Sequence, residues 1–299
     1  MIQNIPVYDI CSLSEVRQDD LLVSRLAPYL DSHKNLFASH GHSFYHLVLF
    51  TQGSGTHTID FKTFEVKPGQ IYFMIPGQVH SWGFDGFTDG YIINFSESFI
   101  QSFILQPGYV DSFSFFKGDL ENSVINLPDD GFTLAKNLLE QIVTETTKPA
   151  AWGGDMVRLL MLQLFIHVNR LNNRLQPEGK LSYNQILLKN YLNLIEQHYA
   201  DIKLPKDYAE LLYITPNHLN AVCKDLLNQS AGELIRNRTL LEGKRLLINA
   251  GLSISEISLK LNFSDNSYFT KFFKKATGLT PEEFRRQILN PVNKYNNGK

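Results

Sequence analysis

Between residues 31 and 95 the apolar positions come in short runs broken by glycine and proline. The strings SFYHLVLF, THTIDF and GQIYFMI stand between such turns. Runs of this length and spacing predict strands of an all-β sandwich or barrel. Beyond Asp130 the period changes. Over 132–143, Leu134, Leu138, Leu139 and Ile142 fall at helical spacing, and 156–168 is apolar on nearly every side. A helix of that kind needs cover all round, from the β-rich part or from a second copy of the chain. The polar stretch NNRLQPEGK that follows, with its proline and glycine, reads as a linker.

After the linker the pattern is helical throughout, and the helix starts are written in the sequence. Thr215 before Pro216 is an N-cap followed by proline at the first helical position, where a missing N–H does no harm. Ser230 with Glu233, Ser253 with Glu256 and Thr280 with Glu283 each have capping-box spacing ahead of an apolar run. Seven short helices are expected.

Part of this region repeats at an offset of fifty residues: Thr215 with Asp265 as caps, Leu219 with Phe269, and Lys224 with Lys274. Each copy predicts a helix, a tight turn and a second helix: KDYAELLY, ITP and NHLNAVCKDLL, then ISEISLKL, NFSD and NSYFTKFFKKA. In helix-turn-helix geometry the start of the second helix enters the DNA major groove. In the second copy Phe269, Phe272 and Phe273 have core spacing, whereas Lys271, Lys274 and Lys275 fall at i, i+3 and i+4 on another face, suited to phosphates. Asn266 and Ser267 stand at the helix start with short polar side chains fit to read base edges. In the first copy the equivalent positions are Asn217, Asn220 and Ala221, with Lys224 further along. A linking helix over 233–249 sets the spacing of the two units, for successive major grooves about 34 Å apart. A helical bundle with solvated lysines would explain one copy, but less readily two in register.

Charge sharpens this picture. Up to Lys180 there are 12 Lys and Arg against 19 Asp and Glu, a balance of −7; from Leu181 onward 16 stand against 11, or +5, and together they give the chain's −2. The polyanion-binding part is therefore the C-terminal one. Length suits two domains. Cys11 and Cys223 have no metal-ligand spacing, and neither a membrane-spanning run nor a signal peptide is visible. A cytoplasmic protein without a membrane role is expected.

Residues 204–286 resemble the DNA-binding domain of the AraC family of bacterial transcription regulators, most specifically in SISEISLKLNFSDNSYFTKFFKKATGLTPEEFRR and in RTLLEGKRLL. The resemblance implies two units on adjacent major grooves of double-stranded DNA, contact with RNA polymerase, and an N-terminal domain for a small-molecule effector and homodimerisation. Ala221 departs from the arginine that many relatives carry there, which weakens the carry-over to Asn217 and Asn220.

The N-terminal half resembles the cupin-like arm of the same family through HGHSFYHLVLFTQGSG and KPGQIYFMIPGQVH. His40, His42, His46 and Gly53 match the cupin spacing with histidine in place of glutamate, and His80 follows Pro76-Gly77. Period-2 alternation puts His42, Phe44 and His46 on one face. Three readings stay open for these histidines. They line an effector pocket with Tyr72 and Trp82 as apolar walls, they ligate a divalent metal for sensing or catalysis, or some of them satisfy backbone groups or face solvent. The resemblance favours the first, with no metal and no cofactor. A cupin-type metal enzyme or metal sensor fused to the DNA-binding domain is the alternative, but for an enzyme the nearest carboxylates, Asp60 and Glu65, sit on a neighbouring hairpin, and no catalytic residues are expected.

The expected architecture is α+β and multidomain. A cupin-like barrel occupies 1–130, a helical dimerisation or packing segment 131–172, a linker 173–182, and an all-α domain with two helix-turn-helix units 183–290.

Overall fold

The computed structural model describes residues 6–13, 20–104, 109–118, 120–148, 150–174, 182–248 and 251–289. They fall into two compact units, one spanning 6–178 and the other beginning at 179. The linker expected at 173–182 lies outside the described residues except at its ends, where 173 and 174 close a helix and Ser182 caps the next.

The strands of the first unit are β1 (Val7–Tyr8), β2 (Leu21–Arg25), β3 (His40–His42), β4 (Tyr45–Gln52), β5 (Gly55–Ile59), β6 (Lys62–Val66), β7 (Gln70–Met74), β8 (Val79–Phe84), β9 (Asp89–Phe95) and β10 (Val124–Asn126). They make two five-stranded sheets, ordered β1-β3-β8-β5-β6 and β10-β7-β4-β9-β2. The β-rich domain is thus present, but as two sheets with free edges rather than a closed barrel. Its strands also reach further along the chain than the alternation suggested, to β1, β2 and β10. Ser43 and Phe44 are the crossing point between the sheets, with β3 in the first and β4 in the second. Short helices α1 (Ile10–Leu13), α2 (Leu26–Ser32), α3 (Glu97–Gln101) and α4 (Leu120–Ser123) fill connections.

The unbroken apolar run of β4 follows from burial on both faces. Phe44, Val48 and Phe50 pack with Tyr72, Met74 and Ile92 between the sheets. Tyr45, Leu47 and Leu49 pack with Ile71, Phe73 and Ile93 against α5 (Asp129–Thr147) and α6 (Gly153–Arg174). Helix α6 buries Val157, Met161, Leu164, Phe165 and Val168 in that core, while Met156 and Leu159 on its other side stay about half exposed. The greasy helix is therefore mostly core, with a remaining apolar edge. No described helix is long and apolar enough to cross a membrane.

The second unit contains the seven expected helices: α7 (Tyr183–His198), α8 (Pro205–Leu211), α9 (Pro216–Leu227), α10 (Ala231–Ile248), α11 (Ile254–Lys260), α12 (Asn266–Thr277) and α13 (Pro281–Leu289). All three proposed capping boxes form: the backbone N–H of Ser230, Ser253 and Thr280 donates to the glutamate three residues on, and each hydroxyl accepts that residue's N–H. A fourth, Ser182 with Gln185, opens α7.

Candidate functional site

The repeat in the sequence is a repeat in space. In both units the first helix ends on a left-handed residue, Tyr213 or Asn262, whose chain is held by matching bonds: Ile214 N–H to Ala209 O and Phe263 N–H to Ser258 O, both 3.0 Å. Those pairs are 49 residues apart, whereas the caps Thr215 and Asp265 are 50 apart. The second turn is one residue longer, at Ser264. Thr215 Oγ1 then accepts from His218 N–H and Asp265 Oδ1 from Tyr268 N–H, starting α9 and α12 in the same way. At their other ends both helices close on left-handed residues, Asn228 and Gly278.

Each second helix is tied down by one face and presents another. Leu219, Val222 and Cys223 root α9 in the core of α7, α8 and α10. Phe269 and Phe273 root α12 in a separate core with Leu247, Ile257 and Leu261, and Phe272 packs half-buried beside them. Opposite these faces Asn217, Lys224, Asn266, Ser267, Lys271, Lys274 and Lys275 are exposed, as the spacing predicted. Asn220 is placed differently from these. It is half-buried and its Oδ1 accepts the N–H of Ala231 at 3.2 Å, so it ties α9 to the start of α10 instead of standing with the outward face. Between the units, α10 is anchored by Arg238, which donates to Glu196 of α7 at 2.7 Å and stacks on Tyr199.

In the N-terminal unit, strand register gathers the histidines. His40 lies opposite His80 across β3 and β8, His57 opposite Trp82 across β5 and β8, and His46 opposite Asn94 across β4 and β9. His40, His42, His46 and His80 therefore meet between the sheets, and all are buried. His42 and His46 do share one space, though on strands of different sheets: the chain crosses between them, and the rings lie 4.9 Å apart. Tyr72 and Trp82 border the cluster, with Tyr72 4.8 Å from the ring of His57. His57 was missed by motif reading. Alternation from the buried Ile59 puts it on the inward face of β5, a signal present in THTID.

Burial holds these rings neutral. The His40 imidazolium is disfavoured to a pKa of about 4 and that of His46 to about 3, chiefly by loss of water. His42, His57 and His80 lie well below the ordinary value for the same reason, with the neighbouring rings adding to it. His40 Nδ1 donates to Ala38 O at 2.8 Å and His46 Nδ1 to Asn94 Oδ1 at 2.7 Å. Their Nε2 lone pairs, with His42 Nδ1 and His57 Nδ1, are buried without a hydrogen-bond partner. The carboxylates considered for catalysis point elsewhere. Asp60 sits in the β5–β6 turn accepting from Gln78 Nε2 and Val79 N–H, and Glu65 is exposed and paired with Lys67.

Comparison with known proteins agrees with both halves. Residues 24–151 match the AraC-like ligand binding domain, and 208–287 match a helix-turn-helix domain. The transcriptional activator RhaR of Cronobacter sakazakii is 24% identical over 255 residues, covering 85% of this chain and 88% of its own length. RhaR of an Escherichia coli strain is 22% identical over 265 residues, covering 84% and 88%. Among solved structures, ToxT of Vibrio cholerae covers 89% of this chain and 97% of its own at 14% identity and a TM-score of 0.43. A ligand-binding β domain followed by a double helix-turn-helix domain defines a DNA-binding transcription regulator. The chain belongs to the AraC family of these regulators.

Proposed function

We propose that this protein is a cytoplasmic, sequence-specific transcription activator, switched by a small ligand held between the sheets of its N-terminal domain. The observation that carries the DNA reading is the matched pair of capped helices α9 and α12, each with a buried apolar face and an exposed polar one. Asn217, Asn266 and Ser267 read base edges, while Lys224, Lys271, Lys274 and Lys275 hold phosphates. His40, His42, His46, His80, Tyr72 and Trp82 serve the ligand. Ligand control requires different ligand affinity in the two states of DNA binding. Activation then passes to RNA polymerase. The working boundaries are 1–130 for the sensor, 131–172 for its helical segment, 173–182 for the linker and 183–290 for the DNA-binding domain.

Asn266→Ala is expected to lower discrimination at one base position by about 1–3 kcal/mol while changing affinity for random DNA little. Selection of preferred sequences from a random pool checks this, and an unchanged preference would remove Asn266 as a reader.

The exposed apolar edge of α6, Met156 and Leu159, with exposed Trp152 before it, supports a homodimer through this face. Light scattering of the full chain is expected to give twice the chain mass, and Leu159→Asp to return the monomer. A monomer at every concentration would sink this assignment. The enzyme alternative is disfavoured by Asp60 and Glu65, which are engaged away from the histidines.

A further inference from the structure

The geometry points to a mononuclear first-row transition-metal site on His40, His42 and His80, making a cation of the zinc class the ligand that the N-terminal domain senses. This rests on the sensor reading above and narrows its chemistry. One ring nitrogen from each of the three lies within 4.8 Å of the other two. A zinc ion about 2.0–2.1 Å from each nitrogen sets tetrahedral edges of roughly 3.3–3.4 Å. His80 Nε2 and His42 Nε2 already stand 3.2 Å apart. Closing the widest gap takes at most about 1.5 Å of ring movement on the same measure.

For His40 the hydrogen bonding places the proton as a metal site needs it, and for His80 one tautomer of its bond to His57 does the same. Metal-bound histidines commonly donate their second N–H to an oxygen or another acceptor, which fixes the tautomer. Ala38 O is an acceptor only, so His40 carries its proton on Nδ1 and turns a bare Nε2 lone pair inward. His57 Nε2 lies 2.9 Å from His80 Nδ1; with the proton of this pair on His80 Nδ1, His57 Nε2 accepts it, His57 keeps its own proton on Nδ1, and His80 Nε2 is bare toward His42. His46, whose Nδ1 donates to Asn94, has a second bare Nε2, and its ring lies 4.9 Å from that of His42.

Two further facts favour an ion over an organic molecule. The ring centroids of the triad are 4.2, 4.6 and 4.9 Å apart, so the rings touch, and the space they share suits one atom rather than a sugar or an aromatic acid. The buried His40 Nε2 lone pair has no partner and is costly as it stands, and a cation on the triad satisfies it. An all-imidazole donor set suits zinc, cobalt, nickel or copper, whereas magnesium and calcium require oxygen ligands.

The test uses the full chain stripped by a chelator and titrated with cobalt(II). Expected are visible d–d bands saturating at one equivalent, displaced by zinc, and affinity at least 100-fold weaker in His40→Gln and His80→Gln but unchanged in His198→Gln. Zinc is also expected to raise the unfolding temperature of the wild-type chain, a readout that stands if a variant folds poorly. No uptake, or equal uptake by wild type and both cluster variants, overturns the site. DNA affinity is then measured with and without zinc across a salt series. A change of fivefold or more supports the cation as the signal, and equal affinity overturns that role. The sensor reading is judged separately in the same assay, by whether organic molecules alter DNA affinity when zinc does not.

Discussion

Phe269→Ala is expected to cost about 3–5 kcal/mol and to abolish specific DNA binding. Phe269 is wholly buried, with the rings of Phe263 and Phe273 5.3 and 5.9 Å from its own. Its core is small, with Leu247, Ile257, Leu261 and Phe273 as the other fully buried members, so one lost ring is a large share of what orients α12. The exposed face that carries Asn266 and the three lysines would then have no fixed direction. Thermal unfolding of the full chain and binding to its own upstream DNA check both parts. Phe269→Leu, which keeps most of the volume, should retain a measurable share of binding. Wild-type affinity in Phe269→Ala would mean that α12 is not the element that grips DNA.

Joint replacement of Lys271 and Lys274 by alanine is expected to weaken DNA binding at least tenfold without blurring sequence preference. Both side chains are exposed on α12, one turn apart. Each lysine that neutralises a phosphate releases counterions, so the slope of log affinity against log salt should flatten by about 0.9 per contact, or roughly two for the pair. The loss should be similar for specific and random DNA, in contrast to Asn266→Ala. An unchanged slope would show that these lysines are solvated charges away from the backbone.

Much of the C-terminal domain was legible because its signals are local. A capping box involves residues three apart, and the side chains that close it are those named by the sequence, as Ser253 and Glu256 show. The fifty-residue repeat and the core spacing of Phe269 and Phe273 are likewise carried by near neighbours in the chain. The half-burial of Asn220 was not legible because exposure on a helix depends on what packs above it. Its partner, the N–H of Ala231, arrives from α10.

In the N-terminal domain, the sequence by itself determined strand character, the inward alternation and the family resemblance of His40, His42, His46 and His80. Whether two sheets close into a barrel depends on hydrogen bonds between strands distant in sequence, and local alternation carries no information about that closure. Alternation in THTID gives the inward face of His57 but not its partner. Its role depends on β5 lying beside β8, so that its Nε2 meets His80 across 23 residues of chain. Tertiary structure alone decided which rings share protons and which lone pairs remain bare, because hydrogen bonds and burial are set by the neighbours that folding brings together.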